Sequence, residues 1–283
     1  MTAAADTPIL VTGATGNVGS EVVAALAARG AAVRALVREP DRTALPSGVQ
    51  AVGGDLELPE SLTPALDGVS AAFLLGGFGD MPGLLKRVAD AGVQRVVLLT
   101  SRCVVGGRPD NAVTRMWLDS ETAVRRSGVA WTFLHPSGYQ SNALRWLPQL
   151  RRGDVVRAPW SNVPVAVIDP ADIAAVAATV LAEGGHERTA LELSGPESLT
   201  PGEQVAILAH TLGRPLRYEP QSDADARAEM AANTPAPYID AFFRFYSDGE
   251  FDDSRVVDTV VGVTGQPARR FEQWTRAHAG AFA

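Results

Sequence analysis

The chain has 283 residues, a net charge of −7 at pH 7 and 46% hydrophobic residues. This composition is typical of a soluble globular protein, and the acidic balance argues against a nucleic-acid partner, which needs a basic face. The length is sufficient for one large α/β domain, alone or with a smaller lobe.

The chain lacks the patterns typical of secretion, membrane insertion or metal binding. Its first residues, "MTAAADTPIL", have no basic segment followed by an apolar core, and no apolar run approaches the ~18 residues of a spanning helix. The single cysteine, Cys103, excludes an internal disulfide and a cysteine metal cluster. We therefore expect a cytoplasmic protein with no metal site and no membrane partner. Abundant alanine, and arginine in place of lysine, indicate a bacterial genome rich in GC.

Short β-branched runs alternate with amphipathic stretches in the first half of the chain. We predict strands at 8–14, 32–38, 49–55, 71–77, 93–101 and 129–136, and helices at 20–30, 83–92 and 115–128. Strands that alternate with helices of this length pair in parallel through right-handed crossovers. The predicted fold class is α/β, with a doubly wound parallel sheet.

The pattern is looser after Pro136. Residues 163–185 predict a short strand, a turn and a helix capped by Asp169, and residues 189–215 predict a strand, a turn and a helix capped by Thr200. Residues 221–252 read as helical, with an apolar patch at Ile239, Phe242, Phe243 and Tyr246. Because no linker is evident, we predict a domain at 1–150 and a smaller, interleaved α/β lobe at 151–283.

A glycine loop joins the first predicted strand to the first helix. The stretch "VTGATGNVGSEVVAALAARG", residues 11–30, places Gly13, Gly16 and Gly19 at a spacing of three. Such glycines permit a tight turn, approach of the backbone to a pyrophosphate and close packing of helix on strand. The loop therefore predicts a dinucleotide site, although a plain strand-to-helix turn has the same local pattern.

Two further positions bear on the choice of dinucleotide. Arg38 lies at the end of the second strand, where a guanidinium binds a 2′-phosphate, so NADP(H) is favoured over NAD(H). Glu39 follows directly and keeps NAD(H) open, because a carboxylate there accepts hydrogen bonds from ribose hydroxyls. Asp55 is placed to bind the adenine amine and Leu56 to pack on the ring, while a simple turn role for Asp55 also fits.

The order of motifs resembles the NmrA-like branch of the atypical short-chain dehydrogenases/reductases over almost the whole chain. The segments that carry the resemblance are "TGATGNVG", "ALVREP", "GDLELPESL", "VVLLTS", "SGVAWTFLHPSGYQSN", "DIAAVAATVL", "LELSGPESLTPGE" and "TGQPARRFEQW". The resemblance implies a Rossmann-type sheet, bound NADP(H) or NAD(H), and a substrate cleft under the C-terminal lobe. Family members include quinone or enone reductases, tailoring reductases and redox-sensing regulators without turnover.

The resemblance also implies a set of cofactor contacts. The predicted cofactor-binding residues are Gly13, Thr15, Gly16, Asn17, Val18, Gly19, Arg38, Asp55, Leu56, Gly76 and Ser101. On the substrate side this chain departs from the family, with His135-Pro136 where Arg-Pro is common and Trp117 where a polar group is usual. We therefore expect the substrate side of the cleft to differ from that of relatives.

The Tyr-x-x-x-Lys pair of typical short-chain reductases cannot form. The only lysine is Lys86, and the residue four positions earlier is Pro82. Aligned on the family pattern, the two sites fall near Val113 and Trp117. Reduction of a quinone or enone still proceeds if the acceptor is well held and a proton comes from water or another group.

Three residues are candidates for the chemistry. Ser101 is placed to bind a substrate oxygen, and His135 and Tyr139 to donate a proton. Each also has a structural interpretation. Ser101 would cap a loop, His135 would be a buried histidine with its hydrogen bonds made, and Tyr139 would form part of the cleft wall. Cys103 is interpreted as a packing residue whose thiol is not a nucleophile. The predicted substrate cleft comprises Phe78, Trp117, Tyr139, Asn142 and Trp160, and its aromatic character suits a flat or quinonoid ligand.

The leading hypothesis is an NADPH-dependent oxidoreductase that reduces a quinone, enone or carbonyl of an aromatic small molecule in secondary metabolism. The alternatives are a non-enzymatic NADP(H) sensor with a protein partner and a non-redox cyclase or isomerase. Whether the chain forms a homodimer is left open.

Overall fold

The computed structural model describes residues 7–282. The first six residues, part of the stretch in which we expect no secretory signal, and Ala283 lie outside the described residues. The strands are β1 (Ile9–Val11), β2 (Val33–Val37), β3 (Gln50–Gly53), β4 (Ala71–Leu75), β5 (Arg95–Leu99), β6 (Ala130–Pro136), β7 (Val155–Ala158), β8 (Thr189–Leu193) and β9 (Arg217–Pro220). The helices are α1 (Gly19–Ala28), α2 (Thr63–Leu66), α3 (Met81–Asp90), α4 (Cys103–Gly106), α5 (Ala112–Ser127), α6 (Leu147–Leu150), α7 (Pro170–Glu183), α8 (Pro201–Leu212), α9 (Asp223–Met230), α10 (Ala236–Tyr246), α11 (Thr259–Thr264) and α12 (Phe271–Ala277).

A seven-stranded sheet in the order β3-β2-β1-β4-β5-β6-β8 confirms the predicted doubly wound α/β fold. The pairs from β3 to β6 are parallel, with Val11 opposite Ala35 on one side and Phe73 on the other. The strands that flank β1 are β2 and β4, so the chain reverses its winding direction beside β1. In sheets of this kind a ligand binds at the carboxyl edge next to that reversal.

The chain divides into two compact units. The first comprises the part up to Ser101 together with Met116–His135 and Pro170–Glu192, and the second comprises Arg102–Arg115, Pro136–Asp169 and the part from Leu193 onward. Each unit takes segments from both sides of residue 150, where the sequence predicts one boundary. That boundary stays a prediction.

The first unit is held by a continuous apolar core beneath the sheet. Leu10, Leu74, Leu98 and Phe133 come from four neighbouring strands and are fully buried in this core, and burial stabilises each by ~1.5–3 kcal/mol relative to exposure. Leu74 is paired with Leu98 and Leu98 with Phe133, so these side chains lie on the same face of the sheet.

The second unit has its own core and a small sheet that sequence analysis missed. β7 and β9 form a parallel two-stranded sheet, and the core beside it includes Trp274 and Phe271. α8 begins at the predicted cap, where the Thr200 hydroxyl accepts a hydrogen bond from the N–H of Glu203 and the Glu203 carboxylate accepts one from the N–H of Thr200. This reciprocal pair satisfies two donors of the first turn.

Two predictions for the second half of the chain are wrong in detail. The strand predicted near 163–168 is reduced to isolated bridges, from Val165 to Leu199 and from Ile168 to Tyr139. Within this segment the N–H of Val167 donates to the carbonyl of Val165 at 2.8 Å, a turn that interrupts extended backbone. The predicted helical region 221–252 is two helices, α9 and α10, because Pro235 cannot continue a helix begun before it.

Within residues 7–282, none of the helices has the length and apolar character needed to cross a membrane. The same residues contain no group of three or more side chains placed to hold a metal ion.

Candidate functional site

In the first unit, the predicted cofactor residues follow successive strands of the sheet. The glycine loop follows β1, Arg38 follows β2, Asp55 follows β3 and Gly76 follows β4. Because these strands are parallel neighbours, all four positions lie at one edge, the carboxyl edge. That placement is the one expected for a dinucleotide in a sheet of this type.

The glycine loop is shaped so that side chains would not fit. Gly13 has φ +61°, and an added Cβ there would overlap the side chain of Leu75. A Cβ on Gly19, the first residue of α1, would overlap the carbonyl oxygen of Gly13. The loop therefore brings bare backbone to the N-terminus of α1, whose first N–H groups have no partner inside the helix and attract a phosphate.

The remaining loop residues differ in exposure. Thr15 and Asn17 are exposed, whereas Val18 is buried where the loop enters α1. The Thr12 hydroxyl donates to the carbonyl of Phe73 at 3.1 Å and accepts from the N–H of Leu75 at 3.0 Å. These bonds tie β1 to β4 directly below the loop.

The two charged residues after β2 have different surroundings. Arg38 is exposed, and its guanidinium has no hydrogen-bond or ion-pair partner among residues 7–282. The Glu39 carboxylate is paired with Arg42 at 3.0 Å. A free guanidinium beside an already paired carboxylate leaves the cation available to an anionic ligand.

Asp55 and Leu56 follow β3 in a tight turn. The Asp55 carboxylate accepts a hydrogen bond from the N–H of Glu57 at 3.0 Å, and the Asp55 N–H donates to the Ser61 hydroxyl at 2.8 Å. Leu56 is buried and packs in the core of the first unit. Asp55 thus orders the turn itself, while a role for either residue at adenine stays a prediction.

Trp117 packs over the end of β4 from α5, the helix in which the resemblance places the Tyr and Lys positions of typical reductases. A Cβ on Gly76 would lie 3.2 Å from Cε3 of Trp117. The Ser120 hydroxyl, one turn along α5, accepts from the N–H of Gly77 at 3.0 Å. Lys86 is on the surface of α3, in an ion pair with Asp90 at 2.6 Å. The structure therefore provides no lysine for the usual proton relay.

His135 lies at the end of β6 in a buried polar network. Its Nε2 is 2.7 Å from Oε1 of Glu121, and the same oxygen accepts from the Thr100 hydroxyl at 3.1 Å. The other Glu121 oxygen accepts from Arg125 at 3.0 Å. The Nδ1 atom of His135 is buried without a hydrogen-bond partner in the described part of the chain. His135 is thus held within a buried polar network, and a role as proton donor stays a prediction.

The other two candidates of the first unit are partly buried. Ser101 lies two residues beyond the end of β5 and is partly buried. Phe78 packs against the apolar core below the sheet. Sequence analysis assigned no role to Glu121, the residue that organises the polar network. The only sign of Glu121 in the sequence is that it lies four positions before Arg125, a spacing that is typical of an ordinary ion pair on a helix surface.

The second unit contains the other predicted substrate residues. Tyr139 follows β6, and burial raises the pKa of its hydroxyl well above the ordinary value. Asn142 is exposed at the start of a short 3₁₀ helix. Trp160 has φ +60°, a left-handed conformation that is rare for an aromatic residue.

Trp160 lies against α10 in an aromatic cluster. Its ring centroid is 4.8 Å from that of Tyr246 and 5.4 Å from that of Phe243. Its indole N–H donates to the Ser247 hydroxyl at 3.0 Å, and Ser247 donates to Asp223 at 2.8 Å. These contacts hold the strained backbone in place.

Two residues without a predicted role stand out in the second unit. Burial raises the pKa of the Asp253 carboxyl to about 7, against the hydrogen bond from Gly138 and the charge of Arg102. Burial also raises the pKa of Tyr246, as do the charges of Asp253 and Cys103. Sequence analysis assigned Tyr246 to an apolar patch and passed over Asp253, because neither has a motif in the linear sequence.

Comparisons with known proteins agree with this arrangement. Residues 13–184 match the model of a family described as NAD(P)H-binding. The chain is 42% identical to a (4-alkanoyl-5-oxo-2,5-dihydrofuran-3-yl)methyl phosphate reductase of Streptomyces griseus, over 97% of this chain and 99% of the relative. It is 35% identical to an NAD(P)H azoreductase of Xenophilus azovorans, with the same coverage. The structure of an NADPH-dependent quinone oxidoreductase of Escherichia coli in complex with NADPH is similar, with a TM-score of 0.79 and 26% identity over 96% of this chain and 99% of the other.

Proposed function

Because the chain belongs to the NAD(P)H-binding family and has reductases among its relatives, we propose that it is an NADPH-dependent reductase of quinones and enones. The observation that carries the proposal is the carboxyl edge of the sheet. There a glycine loop and a helix N-terminus follow β1, and Arg38, which has no partner among residues 7–282, follows the adjacent β2. The loop leaves no room for side chains and so fits a pyrophosphate.

Each part of this edge binds a different part of the dinucleotide. The N–H groups at the start of α1 bind the pyrophosphate, with Gly13 and Gly19 giving access to it. Arg38 binds the 2′-phosphate, which favours NADP(H) over NAD(H) because Glu39 is already paired with Arg42. When bound, the reduced dinucleotide supplies a hydride.

An easily reduced acceptor fits the absence of a Tyr-Lys pair. A quinone, or an alkene conjugated to a carbonyl, accepts hydride readily, so the protein needs mainly to orient it and to supply one proton. The name of the Streptomyces relative describes a ring alkene conjugated to a lactone carbonyl and an acyl group. We include that acceptor class beside quinones and azo compounds. The roles of Trp117, Trp160 and Tyr139 in substrate binding stay predictions.

The test measures dinucleotide affinity and turnover with the full-length protein. NADPH and NADH are titrated, and each is then offered with a naphthoquinone, an azo dye, an acyl-substituted unsaturated lactone and a saturated ketone. We expect tighter binding of NADPH and oxidation of it with the first three acceptors. The Gly19→Ala variant serves as the background control for non-enzymatic oxidation.

Two results would overturn the proposal. Equal affinity for the two dinucleotides, or a preference for NADH, would remove the role of Arg38. Tight binding of NADPH without turnover of any acceptor would instead favour a sensor that changes a partner's binding with the redox state of the dinucleotide.

A further inference from the structure

The loop that follows β4 brings glycine backbone to the carboxyl edge of the sheet. This β4 loop has the sequence "GGFGD", residues 76–80, and Gly77 is exposed. The N–H of Gly76 donates to the carbonyl of Leu99 in β5 at 3.3 Å, and Phe78 packs against the apolar core of the first unit. The β4 loop is therefore attached to the sheet at its first residue and to the core at its third, with exposed backbone between them.

Ser120 of α5 binds that exposed backbone from the helix side. Its hydroxyl accepts a hydrogen bond from the N–H of Gly77 at 3.0 Å and donates one to the carbonyl of Met116 at 2.9 Å. Because its proton is directed at Met116, the hydroxyl presents a lone pair to Gly77. Ser120 is almost completely buried, so water is not available as an alternative partner for its hydroxyl.

The two glycines leave the space that α5 occupies. A Cβ on Gly76 would lie 3.1 Å from Cβ of Ser120 and 3.2 Å from Cε3 of Trp117. Gly77 has φ +88°, and a Cβ there would lie 3.2 Å from Sδ of Met116. Contacts this short are rare for side chains, and a positive φ favours glycine. A side chain at either position would therefore move the β4 loop away from the helix.

The hydrogen bond to a loop distinguishes Ser120 from a neighbouring hydroxyl of the same helix. Thr122 donates to the carbonyl of Leu118 at 2.8 Å, the same bond within the helix that Ser120 makes to Met116. The Thr122 hydroxyl makes no other hydrogen bond within residues 7–282. The bond within the helix is thus ordinary, and the bond to Gly77 is the additional one.

The order of the strands indicates which half of a dinucleotide the β4 loop would contact. β2 and β3 lie on one side of β1, and β4 and β5 lie on the other. In a doubly wound sheet a dinucleotide lies across this reversal, with one half over each side. Arg38 follows β2 and Asp55 follows β3, on the side proposed above for the adenosine half. The β4 loop is therefore on the side of the nicotinamide half.

We propose that Ser120 is a positioning residue for the nicotinamide half of NADPH, because its bond to Gly77 holds the β4 loop where that half binds. This inference rests on the NADPH-dependent function proposed above. A loop that is already ordered loses little conformational freedom when a ligand binds, so more of the contact free energy appears as affinity.

The experiment compares the affinities of two ligands by calorimetry. Adenosine 2′,5′-bisphosphate has the adenosine half and the 2′-phosphate of NADPH but no nicotinamide, so it contacts only the side of β2 and β3. We expect Ser120→Ala to weaken NADPH binding by about 3–10-fold, the effect of one lost hydrogen bond. The affinity for adenosine 2′,5′-bisphosphate should stay within about twofold of wild type. A residue that only stabilised the fold would change neither affinity of the folded protein.

Two further variants complete the comparison. Thr122→Ala is the matched control, because it removes only a hydrogen bond within α5, and both affinities should equal those of wild type. Gly76→Ala moves the β4 loop by crowding Ser120 and Trp117, and it should weaken NADPH binding without affecting adenosine 2′,5′-bisphosphate. Urea denaturation of each variant gives the folded fraction under the titration conditions, to which the affinities are referred.

The outcomes separate this inference from the function on which it rests. A wild-type protein that binds neither ligand overturns both. A wild-type protein that binds NADPH but reduces no acceptor overturns the reductase function, and the affinities of the variants then decide the role of Ser120 independently. Unchanged NADPH affinity in Ser120→Ala, equal weakening of both ligands, or the same loss in Thr122→Ala overturns the role of Ser120 alone.

Discussion

Nε2 of His135 lies 2.7 Å from Oε1 of Glu121, and both side chains are almost completely buried. Thr100 and Arg125 complete the coordination of the carboxylate. This contact joins β6 to α5, and it gives His135 a structural partner whose importance is open to measurement.

We expect His135→Phe to affect stability and not turnover. Removing Nε2 leaves a buried carboxylate oxygen short of one partner, which should lower the free energy of unfolding by about 1–3 kcal/mol. Urea denaturation measures that change, and kcat of the folded variant should stay within about twofold of wild type, since no transition-state contact is lost. His210→Phe, at an exposed position of α8, is the control and should change neither quantity. A large loss of kcat at unchanged stability would restore His135 as a proton donor.

Arg38→Ala should lower the affinity for NADPH and leave the affinity for NADH unchanged. A charge-assisted contact to the 2′-phosphate contributes ~1.5–3 kcal/mol, so its loss should weaken NADPH binding by about 10–100-fold. NADH has no 2′-phosphate, and its binding should be unchanged. Fluorescence titration of each dinucleotide measures this. Arg126→Ala, which removes an exposed guanidinium of α5, is the control and should change neither affinity. Equal weakening of both dinucleotides by Arg38→Ala would contradict a specific role at the 2′-phosphate.

Gly19→Ala should disrupt the loop itself. The added Cβ would overlap the carbonyl oxygen of Gly13, so the loop must shift, and affinity for both dinucleotides should decrease. Gly262→Ala is a matched control, since a Cβ there meets no atom within 4 Å and the backbone is helical. Wild-type affinity in Gly19→Ala would show that the loop does not approach the ligand.

Asp253 should make stability depend on pH. Its folded-state pKa of about 7 is raised above the ordinary 3.8, so the folded protein binds more protons than the unfolded chain between these values. Stability therefore decreases as pH rises from about 4 to about 7, at ~1.4 kcal/mol for each unit of pKa difference. Asp253→Asn cannot ionise, and it should gain stability relative to wild type by a few kcal/mol between pH 5 and 8.

Chemical denaturation at several pH values measures this difference. Asp252→Asn is the contrast, because hydrogen bonds from Ser254 lower the pKa of the Asp252 carboxyl. Because the pKa of Asp252 is lowered in the folded state, its contribution to the free energy of unfolding is fully present above the ordinary pKa. This variant should therefore differ from wild type by a constant amount between pH 5 and 8. Parallel curves for wild type and Asp253→Asn would contradict the buried, neutral carboxyl.

Much of the first unit was predictable because its signals are local. β1 and β4–β6 are buried apolar runs separated by helices, and such runs identify parallel strands without any knowledge of their partners. The small sheet of β7 and β9 was missed for the opposite reason. Its strands are only four residues each and are separated by about sixty residues of chain, and three of the four residues of β9 are exposed, so nothing in either stretch indicates the other.

The sequence by itself determined the doubly wound sheet, the glycine loop at its edge and the absence of a Tyr-Lys pair, because strand periodicity, glycine spacing and residue identity are properties of short stretches. The tertiary structure decided which polar groups are already paired and which are left available. Gly138 and Asp253 are 115 residues apart in the chain, and His135 meets Glu121 only when β6 is placed beside β5 and α5. Burial and hydrogen bonding depend on such distant contacts, and these determine whether a carboxyl or hydroxyl group holds its proton.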